Sequence, residues 1–336
     1  MSKDDMYTFH EIAGNEILKK SLQNAIVKGK TSHAYIFNGG EGMGKTLFAK
    51  TVAKTMQCEV VGANPCCTCV SCRTFDSMNN PDVFYVEPST RKSIGVDDIR
   101  EQVSRNIEIK PYKHKYKIFI IKNAHLMTPA AQNALLKTIE EPVGYGVFLL
   151  TSESIMNFLP TIISRSVVLK LRPLPDKSVK EKLIEAGVMP ESADIFSAYA
   201  RGSIGKAMRL KDDTQFSEIR ELVFKTVSEK SRNITYEAFN AAKEYEPYKE
   251  NIHDVLDIMF VWLRDVLVYK TTLDMHLIIE KSRTPHIKKE AGLLDEKSLF
   301  KKLDAVLNTG KILKHNANFG MAMDMLMIEL KDGRAH

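Results

Sequence analysis

The stretch HAYIFNGGEGMGKTLFAKTVAKTM, residues 33–56, decides the fold. Its start, AYIF, is a short apolar run of the kind buried in a parallel sheet, and its end, TLFAKTVAKTM, carries apolar residues at helical spacing. Between them, Gly39, four residues, then Gly44, Lys45 and Thr46 is the spacing at which a glycine-rich turn lets backbone N–H groups wrap phosphates. Gly39, Gly40, Glu41, Gly42, Met43, Gly44, Lys45 and Thr46 are therefore the expected nucleotide-binding residues, with Lys45 reaching the terminal phosphates and Thr46 a magnesium ion. The turn leads into a helix N-terminus, which favours anions. Strand, phosphate turn and helix in this order predict an α/β domain built on a P-loop and a parallel sheet.

The bulk properties fit that reading. At 336 residues the chain is long enough for two or three domains, and 44% hydrophobic with 27% charged residues is ordinary for a globular protein. No stretch approaches the roughly 18 apolar residues that span a bilayer, and the opening MSKDDMYTFHEI is acidic where a signal peptide would be apolar. The expected location is the cytoplasm, away from membranes. The formal charge of +6 suits a polyanionic partner such as DNA, but Lys and Arg are spread along the chain, which describes an ordinary solvated surface equally well.

Hydrolysis needs more than a cradle. In P-loop folds a later strand ends in acidic residues that hold magnesium and position the attacking water. Here that strand is YKIFII, residues 116–121, and Lys122 and Asn123 follow it. An ammonium cannot ligate a cation and a neutral amide is a very poor base, so the expected outcome is ATP or ADP held without hydrolysis. His125, close by, is expected to be a structural hydrogen-bonding group and not a substitute base.

All five cysteines lie between 58 and 72, in CEVVGANPCCTCVSC. Clustered cysteines in a cytosolic chain favour a metal site over disulfides. Cys58, Cys66, Cys69 and Cys72 include two successive C-x-x-C steps, which suit tetrahedral zinc, with Cys67 left over. Part of an iron–sulfur pattern is present too, but without the Cys-Pro that completes it. Four thiolates leave no open position, so the expected role of the zinc is structural.

TPAAQNALLKTIEEP (128–142), VFLLTSES (147–154), LPTIISRS (159–166), FHEIAGNEILKKSLQNAI (9–26) and KSIGVDDIREQV (92–103) together resemble the AAA+ subunits of bacterial DNA polymerase III clamp loaders. The likeness runs from about Phe9 to Leu210 and continues more loosely through FVWLRDVLVYK and NANFGMAMDMLMIEL. It implies a hetero-pentamer with gamma/tau and delta subunits that acts on a sliding clamp and primer-template DNA, and a zinc module in the same place. The motor subunits gamma and tau keep the acidic pair and carry a nucleotide-contacting arginine in a GSLRDA-like stretch. Here the matching segment is GSIGKAM (202–208), with Gly205 in the arginine's place, so the resemblance is to a hydrolytically silent member. The family's SRC motif supplies an arginine finger to the neighbouring subunit's nucleotide; here it reads SRS, which gives Arg165 that catalytic role in trans.

Prolines in LRPLPD and the helical periodicity beyond them set the expected organisation: a P-loop domain over 1–170 with the zinc module at 58–72, a helical lid over 171–212, and an all-α region over 213–336. By resemblance the last is the collar through which subunits associate. Trp262 and the Met-rich stripe of MAMDMLMIEL are expected in its core. Two other readings stand beside the main one: an active gamma/tau-type ATPase, and a zinc-dependent DNA-binding module.

Overall fold

In a computed structural model, residues 7–88, 93–228, 234–314 and 317–331 are described. The acidic residues at 1–6, Lys92 of the KSIGVDD segment and Asn316 before the last helix lie outside them. The chain divides into two units, one of Met1–Pro175 with Gly202–Lys206, the other of Asp176–Arg201 with Ala207–His336.

The first unit is a five-stranded sheet in the order β2-β3-β4-β1-β5, with every strand pair parallel. The strands are β1 Ala34–Asn38, β2 Val83–Val86, β3 Lys117–Ile121, β4 Gly146–Ser152 and β5 Val167–Lys170. Central strands of such a sheet are covered on both faces and so read as unbroken apolar runs. AYIF and KIFII do so, and β3 and β4 are buried along their whole length. Successive side chains alternate between two cores. Tyr35, Phe37, Ile118, Ile120 and Leu149 pack with Leu22 and with Phe48 and Val52 of the helix Lys45–Gln57. Ile36, Phe119, Ile121, Phe148 and Leu150 face the helix Pro129–Glu140 through Ala131, Leu135 and Ile139. In the second core Phe84, Phe119 and Phe148 stack in register across three strands, with centroids 5.1 and 5.4 Å apart.

The second unit is helical; no strand follows Lys170 among the described residues. Its core is built around the helix Ile252–Thr272, and Trp262, 1% exposed, packs against Phe224. A buried polar group fixes the packing: Glu280 takes hydrogen bonds from Arg220 Nε at 2.8 Å and from Tyr199 Oη at 2.6 Å. The Met-rich stripe divides by helical period. Met323 and Met327 are core, while Met321 and Met325, four residues apart on the opposite face, are 66% and 65% exposed and line a cavity of about 390 Å³. The expectation of a wholly buried stripe therefore holds for half of it. No described helix is long and apolar enough to cross a membrane.

A buried carboxylate organises the approach to β3. Asp82, fully buried, accepts backbone N–H groups from Tyr112, Lys113 and His114 at 2.6, 3.0 and 3.1 Å. Hydrogen bonds to a charged acceptor are about twice as strong as neutral ones. Asp82→Ala should therefore cost about 2 kcal/mol or more and accelerate amide exchange at those three residues selectively; unchanged exchange there would show that the turn does not depend on the carboxylate.

Candidate nucleotide cradle, arginine and cysteine centre

The cradle forms where β1 ends. Gly39 N–H donates to Ser152 O at 3.1 Å, which ties the first residue of the turn to the end of β4. Gly42 and Gly44 adopt left-handed backbone with φ of 69° and 84°, a conformation glycine enters without a Cβ clash, and Gly44 begins the helix Lys45–Gln57. The residue types and the turn fit a phosphate. Their present partners are internal: Gly40 N–H lies 2.9 Å from Met43 Sδ, and buried Lys45 donates to the Gly39 and Gly40 carbonyls at 2.8 Å each. Burial pushes the Lys45 ammonium pKa down, while the Glu153 and Glu41 carboxylates oppose the shift. Beside the turn a cavity of about 240 Å³ is lined by Ile12, Ala13, Met43, Leu47, Leu174 and Ile204 among others, an apolar setting suited to the base of a nucleotide.

The segment 203–206 closes on the same turn. Gly205 N–H donates to Gly42 O at 3.0 Å and Ser203 Oγ to Glu41 O at 2.9 Å. A Cβ on Gly205 would stand 2.7 Å from Gly42 Cα and 2.8 Å from its carbonyl oxygen. Glycine at 205 thus has a steric cause visible only in the structure.

The two residues after β3 have partners of their own. Lys122 Nζ pairs with Glu87 at 2.7 Å, and Asn123, in left-handed backbone, donates its N–H to Thr151 Oγ1 at 3.0 Å. His125 Nδ1 accepts from Glu153 N–H at 3.4 Å, the structural hydrogen bonding expected of it, and burial lowers its pKa. That contact points to a residue the sequence reading missed: Glu153 Oε1 lies 3.8 Å from Lys45 Nζ. Its signal was available as the acidic residue immediately after the VFLLTS strand.

Arg165 ends the short helix Pro160–Ser164. Its Nη2 is 3.0 Å from Glu140 Oε1 and its Nη1 donates to Thr161 O at 3.3 Å, with the side chain 41% exposed. The guanidinium is thus held in a defined place and remains accessible.

Cys58, Cys66, Cys69 and Cys72 converge with all four Sγ atoms within 4.8 Å of one another. Cys66 N–H approaches Cys58 Sγ at 3.3 Å, Cys69 N–H approaches Cys66 Sγ at 3.4 Å and Cys72 N–H approaches Cys69 Sγ at 3.4 Å. Sulfurs that receive N–H groups in this way are prepared to carry negative charge, which fits a tetrathiolate metal centre. Cys67, in left-handed backbone, stands outside the cluster with Sγ 3.7 Å from Pro65 O.

The parallel sheet with its P-loop, the four-cysteine cluster and the helical second unit together define a P-loop α/β protein with an added helical region. Family models agree: residues 14–175 match "DNA polymerase III, delta subunit" and residues 215–332 match its C-terminal model. The delta-prime subunit of DNA polymerase III from Bacillus subtilis is 32% identical over 320 residues, covering 94% of this chain and 95% of that one. The tau subunit from the same organism is 28% identical over 89% of this chain, which spans 57% of tau's length. The gamma/tau subunit of Mycoplasma pneumoniae is 31% identical over 64% of this chain, and the match spans 32% of that protein. The chain belongs to the delta-prime family of DNA polymerase III clamp loader subunits, related to gamma and tau.

The approach of Gly205 to Gly42 generates a prediction. Gly205→Ala places a methyl group against backbone that cannot swing aside, so it should destabilise the first unit by about 1–3 kcal/mol. Lys206→Ala, one residue on, should cost far less. Equal thermal shifts for the two variants, by calorimetry, would refute the steric account.

Proposed function

We propose that this chain acts in its clamp loader as a subunit that does not hydrolyse nucleotide itself, helps load the sliding clamp onto primer-template DNA, and offers Arg165 to the nucleotide of a neighbouring gamma/tau subunit. The observation that carries the reading is the identity of the two residues that follow β3: Lys122, paired with Glu87 at 2.7 Å, and Asn123 stand where a hydrolysing P-loop domain needs two carboxylates. In this reading residues 1–170 are the nucleotide-binding-like domain, 171–212 a helical lid and 213–336 the collar through which gamma/tau and delta subunits assemble, in the cytoplasm. ATP or ADP, where held, is held without turnover. A fixed guanidinium offered to a transferring phosphoryl group is worth roughly 10³–10⁵ in rate in the best-studied NTPases.

The test is a complex reconstituted with gamma/tau and delta and matched for assembly by gel filtration. Arg165→Ala should leave assembly intact while lowering DNA- and clamp-stimulated ATPase and slowing loading. Arg165→Lys should rescue poorly, because an ammonium lacks the planar fork. Unchanged ATPase and loading would reduce Arg165 to the helix-capping group of the isolated chain, and robust turnover by the chain alone, abolished by Lys45→Ala, would favour the active-ATPase reading.

The four-cysteine centre is proposed to hold one structural zinc. Elemental analysis should find about one zinc per chain in the wild type and in Cys67→Ser, and strongly reduced zinc in Cys69→Ser. Loss of zinc from Cys67→Ser with retention in Cys66→Ser would assign the wrong four ligands.

A further inference from the structure

The strand that should supply carboxylates to the cradle supplies none, yet a carboxylate reaches it from the neighbouring strand. Glu153 is the first residue after β4, and β4's last residue, Ser152, accepts the N–H of Gly39 at 3.1 Å. The backbone of Glu153 is therefore fixed beside the turn by the sheet itself, and its own N–H is directed to His125 Nδ1 at 3.4 Å. From there its Oε1 lies 3.8 Å from the Lys45 ammonium, which is buried and donates to two loop carbonyls. Lys45 is the cation meant for terminal phosphates.

An ionised carboxylate can only accept hydrogen bonds, as a phosphate does, and like charges close together repel. Glu153 and an incoming phosphate therefore compete for the same ammonium, and the competition grows with the negative charge presented there. We propose that Glu153 sets the nucleotide selectivity of the cradle, acting as an internal anion that neutralises Lys45 and disfavours nucleoside triphosphates relative to diphosphates. The proposal rests on the reading above that the cradle holds nucleotide without hydrolysing it, and it adds what decides which nucleotide is held. The alternative role for a carboxylate at this place, a base activating water, calls for loss of turnover when it is neutralised, the opposite of a gain in binding.

The experiment is equilibrium titration of the full-length chain with fluorescent ATP and ADP analogues in magnesium buffer, for wild type, Glu153→Gln, Glu153→Asp and Lys45→Ala, with folding of each checked by circular dichroism. Glu153→Gln should raise ATP affinity several-fold, up to about tenfold, and ADP affinity less, the scale left once a charge pair with one half-exposed partner is discounted for solvent screening. Glu153→Asp should behave like wild type, and the gain from Glu153→Gln should vanish when it is made in the Lys45→Ala background. An ATP-to-ADP affinity ratio unchanged by Glu153→Gln would overturn the proposal. So would absence of binding by both proteins, which would assign closure to Met43 and the 203–206 segment. Phosphate release by the wild type, scored separately from affinity, would instead count against the non-hydrolysing reading, and its loss in Glu153→Gln would make Glu153 a base.

Discussion

Two backbone hydrogen bonds to the phosphate turn constrain most of what surrounds it. Gly39 N–H to Ser152 O joins the turn to the end of β4, and Gly205 N–H to Gly42 O joins it to a residue 163 positions later in the chain. Both bring main chains together, and at 205 the approach is close enough to require glycine. The consequences spread outward: the first bond fixes Glu153 next to Lys45, and the second leaves no room at position 205 for any Cβ, let alone a guanidinium. The lack of a side chain at 205 and the approach of segment 203–206 to the turn are thus one structural fact.

Periodicity and punctuation revealed much of this in the sequence. AYIF and YKIFII read as strands because buried parallel strands are apolar on both faces, and the glycines and lysine of the P-loop read as a turn because their spacing has a mechanical reason. The four clustered cysteines were legible for the same kind of reason, since two C-x-x-C steps place thiols within reach of one another. Glu153 was visible as an acidic residue just after VFLLTS, but its partner was not, because that depends on strand order: β1 lies between β4 and β5, and that neighbourhood brings residue 153 to residue 45. The exposed half of the Met stripe was missed because hydrophobic composition does not say which side of a helix faces a neighbour; Met321 and Met325 share a face opposite Met323.

The two lysines near the turn are satisfied in different ways. Lys122 pairs with Glu87 at the surface, where such a pair contributes little either way. Lys45, by contrast, is buried, and a buried ammonium without partners would be costly. Two carbonyls and a nearby carboxylate satisfy it. The lysine of the cradle is therefore satisfied from within the chain.

Pairing within the chain also bears on Arg165. In the chain alone its guanidinium is held by Glu140 and Thr161 with two-fifths of the side chain exposed, an exposed pair of the kind that forms and breaks at little cost. A phosphoryl group in a dry interface attracts a guanidinium far more strongly than one half-solvated glutamate does. Glu140 thus suits a holding partner: it keeps the arginine ordered on the surface without binding it too tightly to be transferred. Under the proposed role, the same chain that satisfies its own lysine internally leaves its one trans-acting cation in a pair weak enough to exchange, which is the division expected of a subunit that assists a neighbour's chemistry and performs none of its own.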